Sequence, residues 1–297
     1  MNQAQKLQQL LDAPGIIPMP GVYDAISTRL VERAGFKAAF MSGFMVSGAR
    51  IGMPDTGLIS YTEMLDQGRN LCDAVDFPVI GDGDTGWGNA VNIKRTVKGF
   101  AQAGFACIML EDQLAPKRCG HTRGKQIVSR AEAYTRIRAA IDARNELRDA
   151  GGDILVMART DANATDGMEE AIERCNEFRR IGVDITFLEA PRSTEEMKRY
   201  CDEVDGPKMA NMVEQGDTPF LPPAELEALG YKIAIWPAAL MLASIRGIET
   251  ELARLARGEV GEDGKATFPE LQDIVGFPDY YDAEKEYAFE AIEEAAE

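Results

Sequence analysis

Short apolar, often β-branched runs alternate along this chain with longer stretches of helical period. The strand-like runs are eight: 15–18, 38–41, 78–82, 106–111, 154–159, 185–189, 208–211 and 232–236. Helical patterns lie between them at 22–34, 89–103, 129–149, 167–181, 193–203, 223–229 and 237–257. In the first, Ile26, Leu30 and Val31 share a face, and in the second Val91, Ile93, Val97 and Phe100 do. Ser129-Arg130-Ala131-Glu132 has the form of a capping box. Eight β/α alternations in about 250 residues predict an α/β fold, a parallel (β/α)8 barrel. An open doubly wound sheet would show the same alternation. The expected catalytic barrel spans 1–257, and 258–297 forms a C-terminal extension.

The chain has 297 residues, 45% hydrophobic and 27% charged, which excludes disordered, collagen-like and mucin-like classes. Its net charge of −17 argues against nucleic acid and anionic membrane as partners. The longest apolar run, 233–245, is 13 residues interrupted by Pro237, where a membrane span needs about 20. The N-terminus is polar and amphipathic, without the apolar core of a signal peptide. Five cysteines form no CxxC pair, and a chain of this length buries a core without disulfides. A cytoplasmic enzyme with reduced thiols is the expectation.

In a barrel enzyme the chemistry lies at the C-terminal ends of the strands. Those ends here carry Ser42-Gly43, Asp82-Gly83-Asp84, Glu111-Asp112, Arg159-Thr160-Asp161, Glu189 and Asn211. Any one alone reads as a cap or turn residue; six in succession converge on one mouth. Asp82 and Asp84 in a Gly-rich turn, with Glu111 and Asp55, are hard oxygen donors suited to Mg²⁺, with Mn²⁺ as an alternative. No His/Cys spacing suggests zinc. Lys117-Arg118-Cys119-Gly120-His121 contains the only histidine of the chain, and cationic neighbours make a thiol reactive. Arg159 is placed to grip a carboxylate with two N–H groups, or to pair internally with Glu189 or Asp161. Trp87 and Trp236 fit either the mouth or the core.

Taken together, Lys117-Arg118-Cys119-Gly120-His121, Asp82-Gly83-Asp84-Thr85-Gly86, Leu110-Glu111-Asp112-Gln113, Met157-Ala158-Arg159-Thr160-Asp161 and Ala210-Asn211-Met212 resemble the isocitrate lyase/phosphoenolpyruvate mutase superfamily. The resemblance runs from about residue 10 to 257 and continues into the tail. Phosphonopyruvate mutases and hydrolases lack the Cys-Gly-His segment, so Cys119 points to the carbon–carbon lyase branch. Asn211-Met212-Val213-Glu214 stands where isocitrate lyases carry Asn-x-Ser-Pro-Ser, and Phe40 where methylisocitrate lyases carry Tyr. The chain is most similar to the group of 2,3-dimethylmalate lyases, oxaloacetate acetylhydrolases and petal death proteins.

That resemblance implies Mg²⁺, a small dicarboxylate substrate and retro-Claisen cleavage of a 2-hydroxydicarboxylate such as a 2-alkylmalate. Oxaloacetate hydrolysis and 2-methylisocitrate cleavage are the alternatives, and a non-catalytic barrel the remotest. The expected direct metal ligand is Asp84, with Asp82, Glu111 and Asp55 around it. Ser42, Gly43, Phe44, Gly120 and His121 would donate backbone N–H groups to substrate carboxylates. Arg159 would hold the carboxylate beside the breaking bond, and Glu189, Asn211 and Glu214 would orient water or the second carboxylate. Asp55 belongs also to the catalytic set. Lys117, Arg118 and His121 would offset developing charge, and Cys119 would act as general acid. The resemblance also implies a C-terminal helix exchanged between subunits, in a homotetramer built as a dimer of dimers. The apolar 237–257 helix and the aromatics of 268–281 fit such a contact.

Overall fold

A computed structural model describes residues 1–118 and 124–287. Contacts divide the chain into two compact units, Met1–Ile245 and Arg246–Glu297. The first unit holds eight parallel strands: β1 (Ile17–Val22), β2 (Ala39–Met41), β3 (Val79–Asp82), β4 (Cys107–Glu111), β5 (Leu155–Thr160), β6 (Ile185–Leu188), β7 (Met209–Asn211) and β8 (Ile233–Trp236). Their order is β6-β5-β4-β3-β2-β1-β8-β7. The two edge strands meet through a parallel bridge between Thr186 and Lys208, with the Thr186 N–H donating to Pro207 O at 3.1 Å. The sheet thus curls into the (β/α)8 barrel rather than the open doubly wound alternative.

Ten helices precede the last strand: α1 (Gln3–Asp12), α2 (Ala25–Arg33), α3 (Gly43–Ile51), α4 (Tyr61–Asp73), α5 (Ala90–Gln102), α6 (Arg130–Asp149), α7 (Ala162–Thr165), α8 (Met168–Ile181), α9 (Thr194–Glu203) and α10 (Pro223–Leu229). After it come α11 (Ala239–Ala256), α12 (Phe268–Ile274) and α13 (Phe277–Glu286). None of the described helices is long and apolar enough to cross a membrane. The barrel interior is filled by Met19, Phe40, Ile80, Met109, Met157, Phe187, Met209 and Ile235, and Ala4, Leu7 and Leu11 of α1 join that same cluster. A second layer packs the outer strand faces against the helices. This is an apolar core on both sides of a parallel sheet, as continuous apolar strand runs require.

Four local readings change. The first strand runs to Val22, because Pro18 and Pro20 sit in β1 as acceptors only and disguise it in the sequence. The face of α2 that turns inward is Ser27, Thr28 and Val31, while Ile26 and Leu30 are exposed. The Ser27 and Thr28 hydroxyls donate to Asp24 O at 2.9 and 2.7 Å, so polar residues are buried there with their bonds made. Val91, in the first turn of α5, is likewise exposed, whereas Ile93, Val97 and Phe100 are buried. At α6, Ser129 Oγ accepts from the Glu132 N–H at 3.2 Å, but Glu132 pairs with Arg136 at 2.6 Å instead of completing a capping box.

Candidate active site

The turn after β3 is shaped by the strand beside it. The Gly83 N–H donates to Met109 O at 2.8 Å and the Glu111 N–H to Asp84 O at 2.9 Å. Asp84 is held there at φ 46°, a left-handed conformation that Asp tolerates better than most residues. Its N–H donates to Asp82 Oδ1 at 3.0 Å. The other oxygen, Asp82 Oδ2, accepts from the Gly43 N–H at 3.1 Å. A Cβ on Gly43 would lie 2.6 Å from that oxygen, so glycine is what lets α3 start against the carboxylate. Parallel register sets Glu111 of β4 beside Arg159 of β5.

Asp55, Asp82, Asp84 and Glu111 are all buried, and Lys117 reaches into them. Lys117 Nζ lies 2.6 Å from Asp55 Oδ1 and 2.7 Å from Asp84 Oδ1. Burial pushes the Asp84 carboxyl up to about 7, against the pull of the Lys117 ammonium. Burial also raises Glu111. For Lys117, burial favours loss of the proton, but Asp84, Glu111, Asp82 and Asp55 outweigh it and hold the ammonium well above its ordinary value. Four carboxylates against the Lys117 ammonium and the Arg159 guanidinium, whose Nε lies 3.4 Å from Glu111 Oε2, leave a formal negative surplus, and Glu111 Oε1 is buried with no hydrogen-bond partner. That donor set of hard oxygens with surplus negative charge fits a divalent ion. Among the described residues no three such side chains converge as a closed cage, so an ion here would keep ligands from outside the protein.

Arg159 is almost fully buried and already engaged. Its Nε and Nη2 donate to Asp161 Oδ2 and Oδ1 at 2.9 and 3.0 Å, and Nη1 lies 3.1 Å from Glu189 Oε2. The internal pairing and the substrate-binding role are compatible, because a guanidinium has five donors and these bonds use three. Burial disfavours its charge, but Asp161, Glu189 and Glu111 more than restore it. The pairing of Arg159 with Glu189 or Asp161 was open from sequence and both pairs are made, but the supports of Asp161 were not foreseen. Asp112 Oδ1 accepts from the Asp161 N–H at 2.9 Å, and Asp112 Oδ2 from Thr160 Oγ1 at 2.6 Å and Arg174 Nη1 at 2.9 Å. Lys125 Nζ adds a contact to Asp161 at 3.2 Å. The signal was present in Arg159-Thr160-Asp161, where an acid two residues from a strand-end arginine can reach it.

Part of this set faces one cavity of about 250 Å³. Ser42, Asp55, Asp82, Lys117, Arg118, Arg159, Glu189 and Asn211 supply its polar lining. Asn211 Nδ2 donates to Glu189 at 3.3 Å. The remaining wall is apolar, built from Phe40, Phe44, Met45, Met109, Phe187, Val213, Ile235, Pro237 and Ala238. Asp84 and Glu111 are not part of that lining. Glu214 does not line the cavity; its neighbour Val213 does, and Glu214 Oε2 is buried without a hydrogen-bond partner. Trp87 packs against Tyr61 and Phe100, and Trp236 packs on the core, so neither forms the mouth. Cys119, Gly120 and His121 lie outside the described residues.

The family model for phosphoenolpyruvate phosphomutase matches residues 7–256. A curated 2,3-dimethylmalate lyase of Eubacterium barkeri is 41% identical over 291 residues, covering 97% of this chain and 99% of that protein. A solved oxaloacetate acetylhydrolase, in complex with the inhibitor 3,3-difluorooxalacetate, superposes with TM-score 0.92 at 35% identity, over 96% of this chain and 97% of that one. A solved phosphonopyruvate hydrolase, in complex with oxalate and Mg²⁺, superposes with TM-score 0.85 at 27% identity, over 97% and 99% of the two chains. With its barrel, its strand-end acids and its match along nearly the whole length, this chain belongs to the phosphoenolpyruvate mutase/isocitrate lyase superfamily.

Proposed function

We propose that this chain is a divalent-metal-dependent carbon–carbon lyase that splits a 2-alkylmalate into a 2-oxoacid and a carboxylic acid, with 2,3-dimethylmalate as the reference substrate. The observation that carries the reading is one cavity whose lining combines Asp55, Asp82, Lys117 and Arg159 with apolar side chains. A dicarboxylate with alkyl substituents matches both the polar and the apolar part of that lining. Phe40, in the lining where methylisocitrate lyases carry Tyr, argues against 2-methylisocitrate.

Asp84, with Asp82, Glu111 and Asp55, holds the ion in this reading. Bound Mg²⁺ or Mn²⁺ supplies Lewis-acid polarisation of the substrate's C2 oxygen. Arg159 holds a substrate carboxylate with the two donors that Asp161 and Glu189 leave. Phe44, at the start of α3, and Gly120 and His121 donate backbone N–H groups to carboxylate oxygens, whereas the Ser42 and Gly43 N–H groups already donate to Val22 O at 3.0 Å and Asp82 Oδ2 at 3.1 Å. Glu189, Asn211 and Glu214 orient water or the second carboxylate. Asp55 takes the C2 hydroxyl proton as the C2–C3 bond breaks. The electron pair passes onto C3 and its carboxylate, where Lys117, Arg118 and His121 offset the charge. Cys119 returns a proton to C3 as general acid.

Oxaloacetate hydrolysis is the second reading, supported by the likeness to the solved oxaloacetate acetylhydrolase. The reading also places the protein in the cytoplasm, in keeping with free thiols at Cys72, Cys107, Cys175 and Cys201. It makes 1–257 the catalytic barrel and 258–297 an extension for subunit contact in a homotetramer. A panel of 2,3-dimethylmalate, oxaloacetate, 2-methylisocitrate and phosphonopyruvate with Mg²⁺ tests the assignment. The alkylmalate is expected to give the highest kcat/KM, and a higher value for any of the others would replace it.

A further inference from the structure

Within Leu110-Glu111-Asp112-Gln113, Glu111 belongs to the carboxylate cluster and Asp112 supports Asp161. Gln113 has no part in either, yet it is only 1% exposed. It stands where the chain leaves β4. Residues 112–114 pair with the returning residues 126–128: the Leu114 N–H donates to Gln126 O at 2.8 Å and the Val128 N–H to Asp112 O at 2.9 Å. The Gln113 carbonyl accepts from Arg136 Nη1 at 3.1 Å. Gln113 Nε2 donates to Arg118 O at 2.8 Å, and Gln113 Oε1 accepts from the Arg118 N–H at 2.9 Å.

One carboxamide therefore bonds both main-chain groups of one residue, as a neighbouring strand would. The Arg118 N–H lies in the peptide plane shared with Lys117, and its carbonyl in the plane shared with Cys119. Fixing both planes fixes the point from which the Lys117 side chain reaches Asp55 and Asp84. It also fixes the base of the Arg118 side chain that lines the cavity. We propose that Gln113 is a positioning residue, whose side chain stands in for a strand partner and sets the placement of Lys117 and Arg118 at the site. The inference rests on the proposed lyase reading for its activity readout only.

The test uses the full-length protein and two variants. Gln113→Met keeps the side chain's length and removes both bonds. Gln113→Glu keeps the acceptor for the Arg118 N–H and loses the donor to its carbonyl. Two readouts are taken per folded molecule: kcat and KM for 2,3-dimethylmalate with Mg²⁺, and the iodoacetamide alkylation rate of Cys119, which needs no substrate. A displaced group costs about 10–100-fold in kcat. Gln113→Met is expected to fall in that range with KM changed less than about threefold, and Gln113→Glu to lie between it and the parent. The Cys119 rate is expected to change in the same order. If both readouts stay within twofold of the parent in Gln113→Glu, and in Gln113→Met where it folds, the proposal is overturned. If Gln113→Met does not fold, Gln113→Glu decides alone. If the parent cleaves none of the diacids, the lyase reading fails and the alkylation rates still decide this one.

Discussion

Arg159 and Cys119 mark the two extremes of what single residues disclose. Arg159 was legible because it ends a fully apolar strand run, where a guanidinium has no packing role. Its pairing with Asp161 was one of two offered there, but the two-bond geometry was not, because a bond made by Nε, Nη2 and both carboxylate oxygens depends on side-chain direction at β5 and not on spacing. Cys119 was singled out by its neighbours in sequence, and it lies outside the described residues. The other cysteines provide its control. Burial pushes Cys72 and Cys201 up to about 12 and raises Cys107 and Cys175 as well. Raising a thiol's pKa keeps it protonated, so at pH 8 a group at about 12 is about one part in 10⁴ thiolate, rising tenfold per pH unit. Native protein at pH 7–8 is therefore expected to show one fast thiol towards iodoacetamide, lost in Cys119→Ser. That variant should also lose about 10²–10⁴-fold in turnover. Fast alkylation of any other cysteine, or unchanged turnover in the variant, would contradict the assignment.

At the scale of elements, the strands were read well because a parallel strand buried on both faces leaves an unbroken apolar run. Only β1 was displaced, by its two prolines. The helices α3 and α4 went unread. Both are interrupted by glycine, and Gly68 in α4 is where Phe105 packs: a Cβ there would lie 2.3 Å from its ring. Tertiary packing decides such helices, not propensity. The start of α3 shows how an element serves the site, since Gly43 admits the Asp82 carboxylate. Gly43→Ala is expected to displace Asp82 and weaken Mg²⁺ binding about tenfold or more, read by calorimetric titration of the purified protein. Affinity within twofold of the parent would show that Asp82 is not held this way.

For the whole molecule, the repeating β/α rhythm was sufficient for the barrel, but no rhythm reports on assembly. The apolar residues of the second unit are open in the single chain: Ile248, Leu252, Leu255, Phe268 and Tyr280 are all exposed. Surfaces of this kind mark protein contacts. With a net charge of −17 opposing non-specific association, a specific interface is the use we assign to them. Light scattering at micromolar concentration is expected to give about four times the 32.5 kDa chain mass, and truncation after Arg257 to lower both mass and solubility. A single-chain mass for the full protein would refute this. The central claim concerns the bond that breaks, and proton NMR of 2,3-dimethylmalate incubated with the enzyme in D₂O reads it directly. Cleavage between C2 and C3 with Mg²⁺ should yield pyruvate and propionate in equal amounts, the propionate carrying one deuterium at C2, and chelator should abolish both. Intact substrate in the presence of Mg²⁺, or undiminished cleavage in chelator, would contradict the account.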